Sequence, residues 1–272
     1  MIKFSIVTVC LNAGQDLIDT VNSTLGQSYD CFEILVKDGF STDGSTEKLP
    51  EDERIRLIQK KDTGIYDAMN QAVEEALGDY LIFMNCGDHF YSPGVLKEIA
   101  DGIGEEMGPV YYGNCYNRPT GQVRAYPKTI TRMTCYRTMI CHQAMVYRAD
   151  VLREHPYDCS YRIIADRELM WYLVCEKGIS PRYLDTVIAD YKGGGESAKP
   201  EHIRRNREDQ KRLEERYFPR GERLKYKLLM ALTFQKLRIA WSKSPKLSKL
   251  YFALVRLAYR VREALRGKKQ VS

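Results

Sequence analysis

Two carboxylates follow directly on strand-like segments, and that placement is the first sign of chemistry in this chain of 272 residues. Asp38 follows Phe32-Glu33-Ile34-Leu35-Val36 in the run Lys37-Asp38-Gly39-Phe40-Ser41-Thr42-Asp43-Gly44-Ser45. Asp88 follows Tyr80-Leu81-Ile82-Phe83-Met84 in Asn85-Cys86-Gly87-Asp88. A carboxylate at a strand end can accept a nucleobase imide N–H or hold a divalent cation, and Mg²⁺ commonly binds through one or two carboxylates plus the phosphates of its substrate. Asp and Gly are also ordinary turn formers, so either motif alone is anonymous. His142 and Gln143 precede the apolar segment Ala144–Tyr147 and stay open between contact with an acceptor or diphosphate and a plain structural use. The eight cysteines contain no Cys-x-x-Cys pair, and no His lies at finger spacing around Cys135 and Cys141. Reduced, mostly buried thiols are expected rather than a zinc site.

The elements that must position these groups alternate. Phe4–Val9 reads as a buried strand, and Leu17, Ile18, Val21 and Leu25 share a helical face. Phe32–Val36 and Arg54–Ile58 read as strands; Tyr66, Met69, Val73 and Leu77 mark a helix closed by Gly78, and Tyr80–Met84 is a fourth strand. Such alternation predicts a mainly parallel α/β sheet, Rossmann-like and flanked by helices, with ligands beyond the carboxyl ends of its strands. No Gly-x-Gly-x-x-Gly follows the first strand, which disfavours a dinucleotide-dependent dehydrogenase. After about residue 108 the pattern is mixed: strands over 110–113, 121–126 and 144–147, then a helix from Asp166 to Lys177.

Taken in order, the motifs resemble the family 2 glycosyltransferases, which have a GT-A fold. The resemblance runs from Ser5-Ile6-Val7-Thr8-Val9-Cys10-Leu11-Asn12 through the Asp38 run and is strongest at Asp62-Thr63-Gly64-Ile65-Tyr66-Asp67-Ala68-Met69-Asn70. Cys141-His142-Gln143, Ala165-Asp166-Arg167-Glu168 and Gly193-Gly194-Gly195-Glu196-Ser197 resemble the branch that builds bacterial surface polysaccharides. It covers roughly residues 3–198, and its specificity lies in the series rather than in any one motif.

The resemblance implies that Thr8 and Asn12 lie in the nucleotide-binding first loop, that Asp38 accepts the N3–H of a uracil-like base, and that Asp67 and Asn70 line the donor pocket. Asn85, His142 and Gln143 are further candidates for contact with substrate. Asp88 is implied as the ligand of Mn²⁺ or Mg²⁺ bridging the donor diphosphate, and Asp166 as the catalytic base. A neutral residue stands at Asn85 or Cys86, where the family usually has an acid, which leaves a metal less charge to hold. The later Gln/Arg-x-x-Arg-Trp signature of processive polymerases is missing, which argues for single-sugar transfer. The implied reaction is inverting: a base removes the proton of an acceptor hydroxyl during one displacement at the anomeric carbon of a nucleotide-sugar donor. The alternative from another class is a non-catalytic nucleotide-sugar-binding subunit of a polysaccharide assembly complex. Tyr66 is placed to stack on a sugar or base or to cap its helix, and Arg167 and Glu168 flank the implied base, with simple solvent exposure of both left open.

The charge is asymmetric. Residues 221–272 hold 14 Lys/Arg and 2 Asp/Glu, a net of +12, within a whole-chain net of +6. Leu247, Leu250, Tyr251, Leu254, Ala258, Val261 and Leu265 recur at helical spacing among Lys and Arg, and a shorter pattern covers Leu224–Trp241. Packing on the domain, nucleic acid and a lipid surface are all open to such a helix; the apolar face favours lipid, so an anionic membrane surface is the expected partner and nucleic acid is not. No apolar run reaches the roughly 20 residues of a membrane span, and the N-terminus lacks a signal-peptide layout. The expected organisation is a GT-A domain over 1–218, with a nucleotide-binding half (1–108) and an acceptor half (109–218), then a basic amphipathic tail over 219–272. The expected place is the cytoplasm, peripheral on the inner face of the cytoplasmic membrane, with a saccharide or lipid-linked acceptor.

Overall fold

The computed structural model describes residues 1–195 and 202–232. The chain divides into two compact units, Met1–Tyr217 and Phe218–Ser272. Glu196, Ser197 and the tail helix read over 247–265 lie outside the described residues.

The first unit is built on a nine-stranded sheet. Its strands are β1 (Phe4–Cys10), β2 (Phe32–Asp38), β3 (Ile55–Gln59), β4 (Tyr80–Phe83), β5 (His89–Phe90), β6 (Val110–Asn117), β7 (Gln122–Arg124), β8 (Met145–Arg148) and β9 (Arg182–Tyr191). The order is β3-β2-β1-β4-β8-β6-β9-β5, with β7 on β6. The first four strands pair in parallel, joined through α1 (Gln15–Leu25) and α2 (Ile65–Glu75). Covered on both faces, β1, β2 and β4 are buried at every position. Each large apolar side chain hidden there contributes about 1.5–3 kcal/mol.

Beyond β4 the directions change. β8 runs antiparallel to β4 and to β6, and β9 runs parallel to β6. This reversal has a consequence for the site. The carboxyl ends of β1, β2 and β4, the amino end of β8, and the carboxyl ends of β6 and β9 all reach the same edge of the sheet. Residues distant in sequence therefore converge there. The remaining helices are α3 (Val95–Ile103), α4 (Arg132–Arg137), α5 (Ala149–Glu154), α6 (Ala165–Trp171) and α7 (His202–Tyr217).

Some elements differ from expectation. α2 ends at Glu75, because Ala76 turns extended and Leu77 donates its N–H to Glu33 Oε1 at 2.6 Å. Gly78 serves instead as a close backbone crossing, where a Cβ would lie 2.5 Å from the Ser5 nitrogen. The strand expected over 121–126 shrinks to the exposed edge β7, since the Tyr126 N–H leaves the ladder for Asn114 Oδ1 at 3.1 Å. The helix from Asp166 changes to a π-helical turn over Tyr172–Glu176.

In the second unit, α8 (Arg220–Leu232) shows Leu224, Leu228 and Leu229 exposed beside Lys225 and Lys227. Among the described residues, no helix is long and apolar enough to cross a membrane.

Candidate active site

The loops after β1 and β2 clasp each other. Asn12, at φ +51°, accepts the Thr42 N–H at 2.8 Å, and its own N–H donates to Ser41 Oγ at 2.8 Å. Asp43 accepts from Gly14 N at 2.8 Å and from Ser45 Oγ at 2.6 Å. Asp38 is fully buried, and its oxygens accept from Ser41 N and Oγ, from Gln59 Nε2 at 3.1 Å and from the Cys10 thiol. Burial pushes this carboxyl up, but those hydrogen bonds outweigh it and hold the group below the usual aspartate value. Thr8 is also fully buried and donates to the Met84 carbonyl at 2.9 Å. Thr8, Asn12 and Asp38 thus build the strand ends and loops after β1 and β2, and none is among the residues that wall the two cavities described next.

Two cavities open along the shared strand edge. The first, of about 540 Å³, is walled by Cys10, Leu11, Asp62, Thr63, Gly64, Asp67 and Cys159 among others. Gly64, at φ +147°, makes the turn into α2, a conformation that side chains rarely adopt. Asp67 accepts the Thr63 N–H at 2.8 Å and so stiffens this turn. Asp62 pairs with the buried Lys37 ammonium at 2.8 Å and accepts the Gly64 N–H at 3.2 Å. Asp62 was not anticipated, although it opens the strongest motif. Asn70 lies behind this wall, bonded to both backbone groups of Tyr157 at 2.8 and 2.9 Å, and it fixes the segment that leads to Arg162.

The second cavity, of about 360 Å³, is walled by Asp88, Asn117, Arg124, Tyr126, His142, Gln143, Asp166, Arg167 and Lys192 among others. Ile65, Tyr66, Asn85, Cys86, Arg162, Ile163 and Gly195 border both cavities, so the two meet at the turn after β4. Both have the size of ligand sites.

Three groups converge at that turn. Asp88 is 4% exposed; Oδ1 accepts the Lys192 N–H at 2.8 Å and Oδ2 the Gln143 amide at 2.5 Å. Here burial prevails, and the carboxyl is pushed above its usual value. His142 lies between two partners: its Nε2 is 2.9 Å from Asn85 Nδ2, and its Nδ1 is 3.4 Å from Asp166 Oδ2. Asp166 Oδ1 accepts the Arg167 N–H at 2.9 Å and faces the Tyr66 hydroxyl at 3.0 Å. Burial, then the neighbouring Asp166 charge, push that phenol well above its ordinary value, so it stays a donor. The Tyr66 hydroxyl thus faces Asp166 and, at 2.9 Å, the Ile163 carbonyl.

α6 is locked from behind. Glu168 is fully buried, not in solvent, and takes the Tyr217 hydroxyl at 2.5 Å with Arg216 at 3.4 Å. Arg167 is half-buried and donates to Gln210 of α7. Through Glu168, the helix that carries Asp166 is fixed on the side away from the cavity.

Among the described residues, no group of three or more His, Cys, Asp and Glu could hold a metal ion. Among the described residues, Asp88 forms no ion pair, and its carboxylate oxygens retain free lone pairs that suit a hard cation. One protein carboxylate is enough for an ion that arrives with a diphosphate and keeps its waters, and too little for a resident ion.

The Glycosyl transferase family 2 sequence model matches residues 5–163. A PGL/p-HBAD biosynthesis glycosyltransferase of Mycobacterium tuberculosis (strain H37Ra) is 31% identical over 199 residues, spanning 71% of this chain and 77% of its own. The putative teichuronic acid biosynthesis glycosyltransferase TuaG of Bacillus subtilis is 33% identical over 100 residues, 35% of this chain and 40% of its own. Among solved structures, S. aureus TarS 1–349 in complex with UDP superposes with a TM-score of 0.60 at 18% identity, covering 78% of this chain. The mannosyltransferase PcManGT from Pyrobaculum calidifontis, in complex with GDP-Man and Mn²⁺, gives 0.54 at 14% identity over 68% of this chain. The chain spans 65% and 55% of those two structures, and at such identities the likeness is one of fold.

Proposed function

The chain belongs to glycosyltransferase family 2 and is a glycosyltransferase; from that premise we propose that it moves one sugar, with inversion, from a uridine-diphosphate sugar to the hydroxyl of a lipid-linked saccharide in surface-polysaccharide biosynthesis. The observation that carries this reading is the meeting of two ligand-sized cavities at Asn85 and Cys86, with Asp88 and Asp166 both facing the second. The nucleotide occupies the cavity beside Asp62–Asp67, and the acceptor occupies the one that holds Asp166. The names of the mycobacterial and Bacillus relatives and the UDP bound to TarS support the class of donor and product.

Asp166 Oδ2 takes the acceptor proton as the hydroxyl attacks the anomeric carbon. Oδ1 is held by the Arg167 N–H and faces Tyr66, so Oδ2 is the oxygen left for this task. One base and one displacement invert the anomeric centre. Asp88, with the diphosphate, is the residue that would hold Mn²⁺ or Mg²⁺. Such an ion supplies Lewis-acid stabilisation to the leaving phosphate. Gln143 and the Lys192 N–H keep the Asp88 carboxylate turned to the cavity wall. Asp38, Asn12 and Thr8 act by shaping the donor loops. The basic second unit holds the enzyme on the inner, anionic face of the cytoplasmic membrane, where such an acceptor is presented.

A thermal-shift screen of nucleoside diphosphates with and without Mn²⁺ tests the donor class, since a ligand of the folded state raises its stability. UDP should stabilise the protein, and more so with Mn²⁺. Stabilisation by GDP or ADP but not UDP would overturn the uridine assignment.

A further inference from the structure

The reading of Asp166 as base leaves His142 without a task, although its ring bridges the base and the turn between the cavities. Both ring nitrogens are occupied. Nε2 is 2.9 Å from Asn85 Nδ2, and Nδ1 is 3.4 Å from Asp166 Oδ2. The two side chains are largely buried, His142 at 17% and Asp166 at 10% exposure.

An amide nitrogen only donates, so the imidazole Nε2 facing it must be the acceptor. A neutral ring with Nε2 free carries its proton on Nδ1. That proton points at Asp166 Oδ2, the oxygen assigned above as the base. A separation of 3.4 Å is loose for a hydrogen bond, and such contacts commonly tighten when substrate fills a site. The amide also explains why position 85 is not an acid. Asn85 Oδ1 is buried with no hydrogen-bond partner among the described residues. A carboxylate there would bury an unpartnered charge, which is costly, and its other oxygen would face Nε2 and demand that proton in place of the one on Nδ1.

We propose that His142 is a positioning residue for the transfer: its Nδ1–H orients Asp166 Oδ2 toward the acceptor, and Asn85 fixes the tautomer that makes this possible. The proposal rests on Asp166 being the base. No proton leaves the imidazole in this scheme; the acceptor proton goes to Asp166, and His142 acts through it.

The test has a spectroscopic and a kinetic arm, both on the full chain. Imidazole-labelled ¹⁵N protein is measured near pH 8, above the ordinary histidine value of about 6.5, and the His142 signal is assigned by its loss in His142→Ala. The expected result is the Nδ1–H tautomer in the wild type and a ring protonated on Nε2 in Asn85→Asp. An Nε2–H tautomer in the wild type overturns the proposal. In the kinetic arm, nucleotide release from UDP-glucose and UDP-N-acetylglucosamine is followed. His142→Ala should lower kcat by about tenfold or more, as loss of an interaction made in the transition state does, with KM for the donor unchanged. His142→Asn, whose amide N–H can take the place of Nδ1–H, should recover most of the loss. Unchanged kcat in His142→Ala, or a loss that Asn does not restore, overturns the proposal. If Asp166→Asn keeps normal turnover, the base assignment fails instead, while the tautomer still answers for itself in the spectrum.

Discussion

Asp38 and Asp88 close two turns on one sheet edge, yet their surroundings treat them oppositely. The loop at Asp38 is self-sufficient: Ser41, Gln59 and Cys10 satisfy its carboxylate, and Asn12 and Asp43 tie the neighbouring loop to it. The turn at Asp88 is left short. Among the described residues its carboxylate has one backbone N–H and one amide but no ion pair, and its pKa is raised by burial. The contrast teaches that the motif residues nearest the N-terminus are mostly architecture, whereas those near Asn85 hold unspent capacity for ligands. A buried polar group satisfied within the chain fixes shape, and one left partly unsatisfied marks a place for something else.

The comparison breaks most visibly at Asp38. Asp38→Ala should cost about 2 kcal/mol of folding stability, the range for hydrogen bonds to a charged group, with UDP affinity falling only as the loop loosens. The pH dependence follows from the depressed carboxyl. Its stabilisation is fully present above the ordinary aspartate range and is lost as pH falls through the lower folded value. Denaturant titrations should show this acid-side loss in the wild type and a flatter curve in the variant. Equal acid sensitivity in both would mean that Asp38 is not the anchor.

Asp88→Asn should do the reverse. Stability should change little or rise, since a charge with too few partners is removed, while UDP affinity falls roughly tenfold, about 1.4 kcal/mol, and only when Mn²⁺ is present. Calorimetric titration with and without EDTA separates the cases; an equal loss in both would dissociate Asp88 from the metal.

The smallest effect on the donor site should come from the tail. Truncation after Tyr217 should leave UDP binding intact, because every motif residue lies before it, yet abolish co-sedimentation with anionic vesicles at low salt. The full chain should pellet, and release in part as salt shortens the Debye length from about 10 Å at 0.1 M to about 3 Å at 1 M. Equal pelleting of both forms would place the membrane contact in the first unit.

The half before about residue 108 was legible because buried parallel strands carry β-branched and apolar cores, as in Ile6-Val7 of Phe4–Cys10 and Ile34-Leu35-Val36 of Phe32–Asp38. The half after it was less so. β9 spans ten residues, but Arg182, Asp185 and Asp190 interrupt any clean alternation, since only Leu184, Ile188 and Ala189 of it are buried. β5 is two residues long and owes its existence to pairing with β9. His142 and Asp166 were legible as candidates but not as neighbours, because the antiparallel entry of β8 beside β4 brings them together. Asp62 and Tyr66 stood in plain view, yet their partners, Lys37 and Asp166, are set by tertiary structure.

The central claim is that the second cavity reacts while the first binds, and Asp166→Asn tests it most directly. Donor affinity, measured by titration of UDP with Mn²⁺, and turnover, measured as nucleotide release from the uridine-diphosphate sugar, are determined on the same preparation. Turnover should fall by about 10²-fold or more, as loss of a general base does, with the dissociation constant for UDP unchanged. Turnover close to that of the wild type, or an equal loss of affinity and turnover, would contradict the account.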